Sequence, residues 1–126
     1  MVESVVSWLA SRDVGSGDVV MFDIDDTLIS ANTRQPIQSI VQLLHTSKIL
    51  GYKIIIITSR HPSSREYTNL QLGGFGIFPD ALEFCPAREK TRLKKVLSII
   101  HNYTFVLSVG DLPTDLGGSM RSLQVN

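Results

Sequence analysis

Apolar positions recur at helical spacing from the start of the chain. Val2, Val5, Val6 and Leu9 predict a short amphipathic helix over residues 2–12, closed by the Gly15-Ser16-Gly17 turn. An apolar run from Asp18 to about Ile24 predicts the first strand. Pro36 suits a first helical position, Ile37, Ile40, Val41 and Leu44 form one stripe, and Gly51 suits the place just past a helix end. The next strand runs from Lys53 to Thr58. Its unbroken Ile54 to Ile57 run does not alternate with polar residues, the signature of a strand covered by helices on both faces. Pro62 opens a third helix that stops at Gly73-Gly74, and Leu82 to Cys85 reads as a short strand. A fourth helix extends from Arg88 to about Asn102, with Leu93, Val96, Leu97 and Ile100 facing inward and Arg92, Lys94 and Lys95 facing water. Thr104 to Val109 is a buried strand ending in Gly110-Asp111. Strands separated by single helices predict an α/β domain with a central parallel sheet and right-handed crossovers, spanning residues 1–126. In such sheets the working site lies beyond the carboxyl ends of the strands.

Composition narrows the partners. The 126 residues supply one packed core, and twelve Lys+Arg offset twelve Asp+Glu, so no net field draws in nucleic acid or an acidic membrane. The longest aliphatic run is far short of the roughly 20 residues that span a bilayer. The start, Met1 to Trp8, places Glu3 where a signal peptide needs basic residues, and Cys85 is the one cysteine. These features together predict a cytoplasmic protein with no membrane partner.

Candidate chemistry gathers at the strand ends. The first strand ends in Phe22-Asp-Ile-Asp-Asp-Thr-Leu28, and alternation along an extended backbone turns Asp23 and Asp25 to one side and Ile24 to the other. The Thr104 to Val109 strand adds Asp111 and Asp115, the Lys53 to Thr58 strand adds Thr58, and Lys90 opens the helix that leads back into the sheet. Four convergent carboxylates repel one another unless cations or protons share the site. Oxygen ligands of this hardness select Mg2+. Acidic residues are also common turn formers, but two clusters at the ends of two buried strands exceed what turn chemistry explains.

Asp23-Ile-Asp25-Asp-Thr27, the apolar strand ending in Thr58-Ser59-Arg60, and Gly110-Asp111-Leu-Pro-Thr-Asp115 occur in an order that resembles the haloacid dehalogenase superfamily of aspartate-nucleophile phosphatases. Within it, Thr58 to Arg60, Thr68 to Leu70, Gly73, Leu82, Lys90-Thr91 and Gly110-Asp111 look most like the class B and plant-type acid phosphatases, although Pro113 replaces their usual aromatic residue. The resemblance implies a three-layer Rossmann-like fold and a Mg2+-dependent phosphomonoester hydrolase. Asp23 would be the nucleophile that forms an aspartyl-phosphate, and Asp25 the general acid and base. The metal ligands would be the Asp23 side chain, the Asp25 backbone carbonyl and Asp111, with Asp115 outer or water-mediated. Thr58 and Ser59 would hold phosphoryl oxygens, and Lys90 would balance charge. Lys94 and Lys95 compete for that last role, but they lie about a turn further from the rim. Repulsion from Asp23 favours a protonated Asp25 when substrate binds, while Mg2+ and Lys90 keep Asp23 ionised. Asp26 reads as a turn cap.

Dehalogenating members need no acid two residues after the nucleophile, so Asp25 points to phosphoryl chemistry. About thirty residues separate Thr27 from Thr58, and about thirty more separate Thr58 from Lys90, which leaves no room for a sizeable cap. An open site admits a macromolecular phosphorylated substrate, such as a phosphoprotein or a nucleic-acid end. A catalytically degenerate binding or storage protein is the chief non-enzymatic alternative.

Other motifs fail on register. After five residues following Cys85 stands Thr91, with Arg92 one place late for a cysteine-dependent phosphatase loop. An EF-hand starting at Asp23 would have Leu28 and Arg34 where glycine and glutamate are required. His45, His61 and His101 have no metal-ligand spacing, although His61 lies near the rim. Arg88, Lys90, Arg92, Lys94 and Lys95 suggest a nucleic-acid face, for which a solvated cationic surface is the simpler explanation.

Overall fold

A computed structural model describes residues 1–125. Five strands, β1 (Asp18–Phe22), β2 (Lys53–Thr58), β3 (Ala81–Phe84), β4 (Thr104–Gly110) and β5 (Arg121–Gln124), form one sheet in the order β3-β2-β1-β4-β5. Every pairing is parallel. Five helices connect them: α1 (Val2–Ser11), α2 (Gln38–Ile49), α3 (Arg65–Gly74), α4 (Lys90–His101) and α5 (Pro113–Leu116). Short 3-10 turns at Pro62–Ser64 and Ala87–Glu89 lead into α3 and α4. The arrangement is a Rossmann-like, haloacid-dehalogenase type of fold without a large cap. Between β1 and α2 the chain makes only a tight loop held by the bridges Asp25 to Ile29 and Ile29 to Pro36.

Alternation in the strands builds two apolar layers. Val20, Phe22, Ile54 and Ile56 meet Leu9 of α1, Leu44 of α2 and Leu72 of α3 on one face. Val19, Met21, Ile55 and Ile57 meet Leu97 of α4 on the other. The isoleucine run is therefore buried on both sides, as its pattern predicts. Strand order reverses at β1, whose neighbours are β2 and β4. Crossovers leave in opposite directions at such a point, so the chain beyond the carboxyl ends of β1 and β4 borders an open crevice.

Helix α4 departs from its predicted orientation. Val96 and Ile100 are exposed, whereas Lys90 and Lys94 are buried beside Leu97. Lys94 is therefore not a solvated residue, and the cationic face reduces to Arg88, Arg92 and Lys95 on the outer side. The reason is polar demand from the neighbouring loop. Lys94 Nζ donates to Ser108 Oγ at 2.8 Å, to the Asp115 carbonyl at 2.6 Å and to the Gly117 carbonyl at 2.7 Å. Three acceptors match the three protons of an ammonium group. Burial still pulls the Lys94 pKa down to about 8, partly offset by Asp115.

The final helix and strand go unpredicted from periodicity. α5 is a single turn. β5 reads Arg-Ser-Leu-Gln and buries only Leu123, because an edge strand packs one residue in this short span. No helix among the described residues is long and apolar enough to cross a membrane.

Truncating Lys94 strands two carbonyls and leaves a void, so Lys94→Ala should cost about 3 kcal/mol. Lys95→Ala on the exposed side should stay within about 0.5 kcal/mol. Urea-unfolding midpoints of the two variants check the orientation of α4.

Candidate active site

Asp23 follows β1 directly, with its backbone N–H donating to the Val109 carbonyl of β4 at 3.0 Å. That bond ties the end of the central strand to the strand that ends in Gly110. Gly110 is required there for space, since a Cβ would fall on the Asp115 side chain. The turn after it is then fixed by Asp115, whose Oδ2 accepts from the Leu112 N–H at 3.1 Å. Local backbone geometry thus brings acids from two strands together. One carboxylate oxygen from each of Asp23, Asp111 and Asp115 lies within 4.8 Å of the others.

Lys90 holds this group together. Its ammonium lies 2.8 Å from Asp23 Oδ1 and 2.6 Å from Asp115 Oδ1, with all three side chains buried. Thr27 Oγ1 approaches the other Asp23 oxygen at 3.3 Å. Burial pulls the Lys90 pKa down, but Asp23 and Asp115 outweigh it and the ammonium is held above the ordinary lysine value. Asp23 goes the other way. Burial raises its pKa to about 7, against the opposing pull of Lys90 and with added repulsion from Asp115. Lys90 by itself does not offset that burial, in keeping with the expectation that a cation shares the charge compensation of Asp23 with Lys90. Lys90 pairs with two of the acids and Asp111 adds a third beside them, which leaves a negative remainder, and the donor atoms are all oxygen. This set fits a hard divalent cation such as Mg2+.

Asp25 belongs to a different group of partners. Its carboxylate is partly exposed and takes a two-pronged ion pair from Arg60, Nε to Oδ2 at 3.0 Å and Nη2 to Oδ1 at 2.9 Å. Arg60 Nη1 is anchored in turn on Thr68 Oγ1 at 3.1 Å and Gln71 Oε1 at 2.8 Å. The hydrogen bonds that Arg60 donates to Asp25 raise the guanidinium pKa, against desolvation that lowers it. A planar fork of this kind fixes both the position and the plane of the acid. Arg60 carries no role in the sequence reading. Its place directly after the Thr58-Ser59 strand end is the one signal that it borders the site.

Thr58 is buried at the end of β2, and its Oγ1 accepts from the Arg60 N–H at 3.1 Å. It donates to no protein group among the described residues, which leaves its proton available to a ligand. Ser59 lies exposed immediately beyond it. Asp26 adopts the left-handed region at φ 60°, and its Oδ1 accepts from the Ala31 N–H at 2.9 Å, as a turn residue does. His61 is exposed and accepts from the Ser63 N–H through Nδ1. His45 and His101 lie elsewhere, one against the Gly76 carbonyl and one stacked on Tyr103. Burial pushes the Cys85 thiol up, which disfavours the thiolate that a cysteine nucleophile needs.

No protein-family model matches the chain, and no curated protein does. Solved structures do. A chain of the Pnkp1/Rnl/Hen1 complex superposes with a TM-score of 0.70 and 22% identity over 92% of this chain. A chain of the Pnkp1/Rnl/Hen1 RNA repair complex does so with the same TM-score, identity and coverage. This chain spans less than half of either, 48% and 44% respectively. At that identity the likeness establishes a shared fold.

Lys90→Met should leave Asp23 and Asp115 buried without a counter-charge and cost about 3–5 kcal/mol in the absence of divalent ions. Thermal unfolding with and without Mg2+ checks this, since a bound cation should restore part of the loss.

Asp23 generates a pH dependence of fixed sign. Between the ordinary carboxylate range and about 7, the folded protein keeps a proton that the unfolded chain releases. Stability of the cation-free protein should therefore fall as pH rises through that window. Cation affinity should move oppositely, dropping about tenfold per pH unit below 7 and levelling above it, because the ion must displace that proton. Calorimetric titration of Mg2+ in buffers of different ionisation enthalpy reads both the affinity and the released proton.

Proposed function

We propose that this chain is a divalent-cation-dependent phosphomonoester hydrolase that acts on phosphorylated nucleic-acid ends. The observation that carries the hydrolase reading is the pairing of two separate acidic groups at one sheet rim. Asp23, Asp111 and Asp115 gather, with Lys90 paired to Asp23 and Asp115, while Asp25, two residues from Asp23, is held apart by Arg60. Hydrolysis of a phosphate monoester needs these two functions: a nucleophile with charge compensation, and a proton donor for the leaving oxygen.

In this reading Asp23, Asp111 and Asp115 hold the Mg2+, which supplies charge stabilisation for the phosphoryl group when bound. Asp23 attacks phosphorus and becomes an aspartyl-phosphate, breaking the bond to the leaving oxygen. Asp25 gives that oxygen its proton, then takes one from the water that attacks the aspartyl-phosphate and releases inorganic phosphate. Thr58 donates its free hydroxyl proton to a phosphoryl oxygen, and Ser59 lies within the same turn. Lys90 offsets the charge that builds on Asp23 and the phosphoryl group. Arg60 grips both Asp25 oxygens, so it aims the carboxyl toward the crevice. An incoming phosphate monoester is an anion able to compete for that guanidinium, and Asp25, released from the ion pair, then takes from solvent the proton that it gives to the leaving oxygen.

The substrate class rests on two supports. The site has no large cap, so a macromolecular end reaches it, and the fold is shared with a chain of an RNA repair complex. Net charge of zero does not favour nucleic acid in general, which restricts the interaction to a local contact at the chain end. The sequence likeness to class B and plant-type acid phosphatases bears on the core chemistry and does not name a substrate.

Phosphate release from a terminally phosphorylated oligonucleotide, with and without Mg2+, tests the proposal. Asp23→Asn should reduce turnover to background, and Asp25→Asn should lower kcat about 10²–10⁴-fold. Binding of the oligonucleotide without turnover, across several divalent ions, would instead identify a degenerate binding protein.

A further inference from the structure

A cleft of about 360 Å3 opens directly beside Asp25, between the loop after β1 and the start of α3. We infer that this cleft seats the terminal nucleoside of a single-stranded oligonucleotide, with the base stacked on Tyr67 and the adjoining phosphodiester on Arg34. The inference rests on the hydrolase reading above and adds to it the groups that recognise the leaving side of the substrate.

Position supplies the first reason. Asp25 lines the cleft and is the acid that protonates the leaving oxygen, so whatever that oxygen belongs to must occupy this space. Chemistry supplies the second. Ile29 forms an apolar part of the wall, and Tyr67, about half exposed at 51%, brings an aromatic ring to the lining. A nucleobase offers a planar surface to such a ring, and stacking of this kind tolerates any base. Charge supplies the third. Arg60 is consumed by Asp25, but Arg34 pairs with no carboxylate among the described residues. It donates only to Tyr67 Oη, at 3.1 Å, so a cation and an aromatic ring are fixed to each other across the mouth of the cleft.

Backbone conformation supplies an independent mark. Arg34 sits in the left-handed region at φ 59°, which a residue with a long side chain adopts only under constraint. The constraint is the turn itself. The Arg34 N–H donates to the Ser30 carbonyl at 2.8 Å, and the Ser30 N–H to the Gln35 carbonyl at 2.9 Å. This turn presents at the cleft that Asp25 also lines a guanidinium paired with no carboxylate among the described residues, which suits it to the next phosphate of an oligonucleotide. A mononucleotide carries no such second anion, and a phosphopeptide carries no nucleobase. The cleft is of a size for one small organic group, which fits an unpaired terminal nucleotide better than a duplex.

The test compares kcat/KM for three substrates: a trinucleotide phosphorylated at one end, the corresponding phosphorylated mononucleotide, and an aryl phosphate. Tyr67→Ala should reduce the preference for trinucleotide over aryl phosphate about tenfold, mainly through KM, while Tyr67→Phe keeps most of it because the ring remains. Arg34→Gln should reduce the preference for trinucleotide over mononucleotide about tenfold and flatten its salt dependence. Preference ratios that do not move in these variants would overturn the assignment, as would faster hydrolysis of a phosphoserine peptide than of the trinucleotide. If no substrate turns over, the hydrolase reading fails separately. Fluorescence anisotropy of the labelled trinucleotide then decides the cleft alone: binding weakened about tenfold by Tyr67→Ala supports it, and equal binding overturns it.

Discussion

The ammonium of Lys90, buried between Asp23 and Asp115, is the contact on which the site depends. It joins the loop after the central strand, the start of α4 and the turn after β4, three segments far apart in sequence. Removing any one of the three charges exposes the others to the full cost of desolvation. The cluster is nevertheless not neutral. Two carboxylates share one lysine and Asp111 stands within reach of both, so negative charge is left over, while burial, with added repulsion from Asp115, raises the pKa of Asp23. A divalent ion bound there would meet that demand with the donor atoms already in place.

The sheet explains why these residues meet. Reversal of strand order at β1 opens the crevice, and parallel pairing aligns the carboxyl ends of β1, β2 and β4 on one rim. Phe22 is in register with Ile56 on one side and Val109 on the other, so Asp23, Thr58 and Gly110 follow within a few residues of the same level. Two apolar layers hold that register rigidly. Under the proposed function, catalytic geometry would be carried by strands and helix starts, and recognition of the substrate's remainder would fall to the more exposed loop after β1 and the first turns of α3.

A division of labour follows between two basic residues. Lys90 is a buried point charge that serves several acids at once, and Arg60 is a planar fork that fits one carboxylate. The first compensates charge and the second orients an acid. Arg34, free of carboxylates, completes a gradation from the core to the mouth of the cleft.

Periodicity in the chain was enough to establish the α/β alternation, the doubly covered Ile54 to Ile57 strand and the placing of Asp23, Asp25, Thr58 and Asp111 at strand ends. These are local properties, set by which side of a strand or helix each residue occupies. Partnership is not local. That Lys94 is buried with three acceptors, that Asp25 pairs with Arg60 instead of joining the carboxylate group, and that Tyr67 meets Arg34 all depend on the rotation of α4 and the approach of α3 to the loop after β1. Charged residues on a helix read as solvated because water is their usual partner, and only the packed structure shows where a protein group has taken water's place. The edge strand β5 escaped for a related reason: with one buried residue, its pattern carries no period, and its pairing with β4 is decided by the sheet it joins.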